Sequence, residues 1–189
     1  MYLDQQQTLT VREWWSALQP EAAPNRRFWM LGRADRARLR RCSDLDQLLL
    51  EPAVLVLVEQ LWPDAKPEQY RALALLAGVL AQLKSDSADQ RSLAFKLGKA
   101  VVAVKDMPPK LSELRFQRLL HTQLEDELYR QLVRAVQLAD AQADINTLIN
   151  DVLAWCTELR GSAGLAHKSI RFKWARDYYL SAKDQRSAE

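Results

Sequence analysis

Glycine is scarce in this chain, with five among 189 residues. A glycine-rich phosphate loop is absent: the nearest approach, "KLGKA" at 96–100, lacks the remaining glycine and the hydroxyl such a loop needs. Histidine and cysteine occur twice each. His121 and His167 are too isolated to form a catalytic constellation, and His121 reads as a packed, hydrogen-bonded side chain beside an apolar stripe. Cys42, His121, Cys156 and His167 match no zinc-finger or ribbon spacing. No catalytic set, metal or cofactor emerges. The longest apolar run, "PAVLVLV" at 52–58, falls far short of the roughly 20 residues a helix needs to cross a bilayer. There is no signal-peptide pattern. The expectation is a cytoplasmic protein with no membrane partner and with both thiols buried and inert. The formal charge is only +3, so net charge argues for no partner.

Strand-like alternation is also nearly missing, and no repeat or low-complexity tract occurs. Leu, Ala, Gln, Arg and Glu, all good helix formers, dominate instead. Almost half the residues are apolar, enough for a core, so an all-α fold is predicted: a helical bundle of two small lobes sharing a core, 1–107 and 108–189. "LTVREWWSAL" predicts a first helix capped by Thr10, with Glu13 completing a capping box. The next runs from near Gly32 to before Ser43. One or two short buried helices follow in "SDLDQLLLEPAVLVLVEQLW", and a further one begins near Pro67. "KSDSADQ" at 84–90 reads as a polar loop, and a short helix spans Ser92 to about Val104. "KDMPPK" marks the plainest boundary. The longest helix is predicted from Ser112 to about Ala139, with Phe116, Leu120, Leu124, Leu128 and Leu132 as its core stripe. Asp144 caps another helix, "GSAG" forms a joint, and "IRFKWARDYYL" forms the last. Glu125, Asp126 and Glu127 read as ordinary helix surface, with Asp126 placed to pair with Arg130.

Charge is unevenly spread. "RADRARLRRC" at 33–42 holds five arginines and one acid, and seven arginines fall between Arg26 and Arg41. At about 100° per residue, Arg33, Arg36 and Arg40 share one face, with Arg41 at its flank. Leu31, Cys42 and Leu45 lie opposite, and Arg38 turns toward the buried side to pair with a carboxylate. Such a face is either a solvated surface with internal ion pairs or a site for phosphates, which arginine matches bidentately. A second basic stretch, Arg160 to Arg176, contains no acid. Its "HKSIRFKWARDYYL" interleaves cations with aromatics, as proteins that hold single strands do. Ile170, Trp174 and Tyr178 recur at core spacing, so Trp174 reads as packed. Lys173 and Arg176 share another side. Arg115 and Arg118 open the long helix, where cations oppose the helix dipole, and Arg130 and Arg134 follow later.

The ordered series "WW", "RARLRRCSD", "RALALLAGVL", "LGKAV", "SELRFQRLL", "INDVLAWC" and "WARDYY" resembles the CasB family, the small subunit of the type I-E CRISPR surveillance complex Cascade. The resemblance runs from about Val11 to Tyr179. It implies a non-enzymatic all-α protein of two lobes, two copies head to tail, contacts with the other Cascade protein subunits that carry the guide RNA, and basic surfaces that support target DNA and its displaced single strand in antiviral defence. Carried over by position, Arg36, Arg40, Arg41, Arg115, Arg118 and Arg134 match the family's basic positions. Arg33 joins them by helical phase, and Arg171, Lys173 and Arg176 are further candidates, although "GSAGLAHKSI" adds a joint before the last helix. Two rival readings are a structural adaptor whose arginines pair with acids of neighbouring subunits, and a small regulator that binds DNA alone, for which no recognition helix stands out.

Overall fold

A computed structural model describes residues 2–21, 26–100, 108–161 and 165–187, with side chains as far as Ser181. Ten α-helices occur among these residues, and the fold is all-α as predicted. The first, α1 (Gln5–Ala17), starts nearly two turns earlier than expected. Asp4, not Thr10, is its cap: the Asp4 carboxylate accepts from the Gln7 N–H at 2.7 Å, and Gln7 Oε1 accepts from the Asp4 N–H at 3.0 Å. This box satisfies two N-terminal donors and puts an acid at the positive end of the helix. Thr10 is buried inside the helix and donates to the Gln6 carbonyl.

Next come α2 (Arg33–Arg41), α3 (Leu45–Leu49, capped by Asp44), α4 (Pro52–Leu61) and α5 (Pro67–Leu80). Pro52 and Pro67 each sit in a first turn, where the missing N–H costs nothing. Every residue from Ala72 to Leu80 is buried, so α5 is the central helix rather than an amphipathic surface helix. Beyond it the polar loop contains a short strand the sequence did not suggest. β1 (Ser85–Asp86) pairs in parallel with β2 (Gln142–Ala143). The Asp86 carboxylate also accepts from the Ile145 N–H at 3.1 Å and from Arg12 at 2.8 Å, tying the loop to the chain's far half.

Ser92 caps α6 (Leu93–Gly98). This helix is shorter than predicted, since Lys99 is already extended; residues 101–107, which hold part of that prediction and the expected lobe boundary, lie outside the described residues, as do 162–164 of the "GSAG" joint. The long helix is two helices, α7 (Glu113–Leu120) and α8 (Glu125–Leu138), separated by a turn. Thr122 is buried in that turn and donates to the Arg118 carbonyl. Glu125, Asp126 and Glu127 fill the first turn of α8, where carboxylates meet the positive end of the dipole. The turn shifts the helical phase, so Leu124 is exposed while Phe116, Leu120, Leu128 and Leu132 remain in the core.

Asp144 caps α9 (Ile145–Leu159), and α10 (Ile170–Ser187) closes the described fold. α5 packs against α3, α4, α8 and α9; α6 packs chiefly on α10. One apolar core therefore runs through both halves. Ile170, Trp174 and Tyr178 are buried in it as expected. Trp174 meets Trp155 edge-on at 5.9 Å, and Tyr178 stacks on Phe116 at 3.9 Å. Such aromatic pairs add about 0.5–1.5 kcal/mol each beyond the area they bury.

Candidate nucleic-acid interface

The nine residues of α2 include a single core anchor of aliphatic type, Leu39. Beside it lies Arg36, only 8% exposed. Its Nε donates to the Ala81 carbonyl at 3.0 Å and its Nη2 to the Leu83 carbonyl, so the guanidinium satisfies backbone acceptors just past the end of α5. Burial, and secondly the neighbouring Arg40 charge, pull its pKa below the usual arginine value. Arg36 therefore does not stand with Arg33 and Arg40 on the solvent face. Arg38 does not turn inward either; it is exposed, and pairs with Asp35 and, at 3.2 Å, with Glu51. The Asp35 carboxylate also accepts from the Gly32 N–H, which fixes the start of the helix.

That leaves Arg33, Arg40 and Arg41 exposed on α2 with no ion pair to any described residue. Ala34 and Ala37 are exposed between them and keep the surface low. Arg40 and Arg41 lie in the last turn, where the helix dipole offsets part of their mutual repulsion. In the second half of the chain, Arg115 and Arg118 are exposed on α7, and Arg130 and Arg134 on α8, again with no ion pair among the described residues.

The remaining candidates are held internally. Arg171 donates to the Thr122 carbonyl at 3.0 Å, reaches Glu158 at 3.7 Å and lies 5.5 Å over the Trp155 ring. Lys173 pairs with Asp151. Arg176 bonds the adjacent Asp177 at 3.0 Å. Asp151 is 2% exposed and also accepts from Trp174 Nε1 at 2.8 Å. Burial pushes its pKa up and the Lys173 charge pulls against that rise.

Other expectations need correction. His121 is exposed at the end of α7, its Nδ1 2.7 Å from the Gln117 carbonyl oxygen, because the helix break ejects it from the stripe. Asp126 faces inward to the Leu45 N–H and Arg71 rather than to Arg130. Cys156 is buried, but Cys42 only half so. Among the described residues no group of His, Cys, Asp and Glu is placed to hold a metal, and no helix is long and apolar enough to cross a membrane. The sequence reading passed over Trp29 and Met30, both exposed. Their signal was the "RRFWM" juxtaposition of arginine with an aromatic ahead of the basic helix.

No curated protein matches the sequence. Among solved structures, a chain in the crystal structure of E. coli Cascade bound to a PAM-containing dsDNA target shares this fold with a TM-score of 0.65 and 20% identity, over 93% of this chain and 95% of that one. The crystal structure of CasB from Thermus thermophilus is similar with a TM-score of 0.58 and 25% identity, over 90% of this chain and 97% of that one. Residues 35–179 match the CRISPR-associated protein Cse2 family, a non-catalytic family, and with well over half its length inside that match the chain belongs to the Cse2 family.

Proposed function

We propose that this chain is the small subunit of a type I-E Cascade, working in the cytoplasm to hold target DNA and the displaced strand while the other protein subunits carry the guide RNA, with a second copy of itself beside it. The observation that carries the reading is the contrast within one helix: Arg36 is buried on backbone carbonyls and the exposed Arg38 is paired with Asp35 and Glu51, while Arg33, Arg40 and Arg41 face solvent without a carboxylate. Arg115, Arg118, Arg130 and Arg134 offer further unpaired cations on α7 and α8. The paired cations Arg171, Lys173 and Arg176 are weaker candidates, because a phosphate would have to displace an existing partner. Membership of the Cse2 family and the likeness to a chain of DNA-bound E. coli Cascade support the reading.

The physics suits the task. In another class of RNA-guided effector, exchange of a DNA duplex for a guide heteroduplex is nearly balanced, so protein contacts to backbones tip it. Arginine to phosphate positions a strand without reading its sequence, as any subunit that accepts every target must do.

The test is target-duplex affinity of the reconstituted complex across a salt series, with the wild-type subunit and with R33A/R40A/R41A, incorporation being checked by mass. Normal incorporation with weaker binding and a shallower salt slope, by about 0.9 for each duplex phosphate the variant no longer neutralises, is the expected result. Unchanged affinity and slope would overturn it. Loss of incorporation would assign the arginines to acids of neighbouring subunits.

A further inference from the structure

The turn ahead of α2 holds an aromatic out of the protein. Phe28 is buried and anchors it, and the Leu31 N–H donates to the Phe28 carbonyl at 2.9 Å. Arg27 ties the same turn to α1 through Thr10 Oγ1 at 2.7 Å and Glu13 at 3.1 Å. With its base fixed, the turn presents Trp29, 76% exposed, and Met30, 56% exposed. Trp14, Trp155 and Trp174 are buried and Trp15 and Trp62 half-buried, so Trp29 is the one exposed tryptophan of the chain's six. Nothing in the described protein packs over it.

The charge around it selects the occupant. From Arg26 to Arg33 the chain carries no acid. Arg26 and Arg33 are exposed and have no hydrogen bond or ion pair with a described residue. Both lie within four residues of Trp29, a chain reach of at most about 14 Å. An apolar protein surface laid on this turn would desolvate two guanidiniums without offering partners. A single nucleic-acid strand offers both needed groups: a base face for the indole and phosphates for the arginines.

We infer that Trp29 is a stacking platform for an unpaired base of single-stranded nucleic acid, with Met30 beside it and Arg26 and Arg33 on the flanking phosphates. This rests on the reading of α2 as a strand-binding helix and adds a contact to bases where that reading has only phosphates. It extends the track formed by Arg33, Arg40 and Arg41 beyond the first turn of α2.

The experiment uses the full chain with two probes at low salt: oligothymidylate, and an abasic oligonucleotide of equal length. A base stack contributes about 1–3 kcal/mol, so the wild type should prefer the base-bearing strand by roughly 5- to 150-fold. W29A should abolish that preference and leave abasic affinity unchanged, while W29F keeps most of it. Oligothymidylate should quench the exposed tryptophan emission of the wild type and not of W29F. Equal losses on both probes, or none on either, would overturn the stacking role. If R33A/R40A/R41A weakens binding while W29A does not, only this inference falls. If the wild type binds neither probe, the strand-binding reading of the isolated chain falls with it. Loss of W29A from the assembled complex, with strand binding intact, would make the turn a protein-docking element and overturn the inference equally.

Discussion

Trp174 donates its indole N–H to the carboxylate of Asp151 at 2.8 Å, across the contact between α9 and α10. The other carboxylate oxygen pairs with Lys173. One buried acid thereby fixes both an aromatic of the core and a cation at the surface, and the last helix is oriented by that contact.

The Asp151–Lys173 pair has a definite pH signature. Burial raises the Asp151 pKa above the ordinary aspartate value, and Lys173 limits that rise. Between the unfolded value near about 3.9 and the raised folded value, the native state binds more proton than the unfolded state. The contribution of this group to stability therefore falls as pH rises through that window and is level above it. K173A removes the opposing charge and lifts the folded value further. Its stability deficit in urea titrations should grow as pH rises from the unfolded carboxylate value toward neutrality; a deficit independent of pH across that whole range would show that the pair is electrostatically idle. D151A, which leaves Trp174 Nε1 without an acceptor, should cost about 1–3 kcal/mol, and D151N less.

Arg36 and Arg40 differ in kind although they sit one turn apart. R36A strips the donors from the Ala81 and Leu83 carbonyls and should lower unfolding free energy by about 1–3 kcal/mol. R40A touches only solvent and should stay within about 0.5 kcal/mol of wild type. Urea denaturation of the two variants side by side decides between a structural and a surface role for each.

Gly98 is where α6 meets α10. A methyl group there would fall 2.3 Å from the Tyr178 carbonyl oxygen and 2.3 Å from Ser181 Oγ. The backbone oxygen cannot rotate away, so G98A should push the two helices apart at a cost of about 1–3 kcal/mol or more. Faster amide exchange in α6 than in α4 would locate the damage.

The two thiols should be poor nucleophiles. Burial, then Glu51 and Asp44, raise the Cys42 pKa, and burial pushes Cys156 up to about 12. At pH 8 the Cys156 thiol is therefore protonated almost throughout. Iodoacetamide should label Cys42 slowly in the native protein and reach Cys156 only in denaturant, as mass spectrometry of timed aliquots would reveal.

The all-α class and most helix limits were legible because prolines, caps and apolar periodicity agree. The phase of α2 was not. With Leu39 as its one large aliphatic residue, the helix carries too little apolar signal to fix rotation, and the second buried residue is an arginine whose head meets carbonyls. Arg36 and Arg38 were consequently exchanged. The break at His121–Leu124 contains neither proline nor glycine, yet the three acids after it were a usable start signal for α8. Asp4 with Gln7 was likewise a readable capping box. The β1–β2 pairing joins two-residue segments far apart in sequence and leaves no local periodicity to find. The partners of Lys173 and Arg176 were hidden for different reasons: Asp151 lies on another helix, and Asp177 is a neighbour in sequence just beyond Arg176, where the acid-free stretch ends.

The position of α5 governs how the chain is born. The helix packs on α3 and α4, made before it, and on α8 and α9, made after it. Between the emergence of Leu80 and that of Leu159 a ribosome working at about 5–20 residues per second spends roughly 4–16 s. Throughout that interval a helix whose last nine residues are all destined for the interior lacks two of the helices it packs against. Over that interval the early part of the nascent chain presents apolar surface of the kind that holding chaperones cover, until the distal helices arrive to bury it.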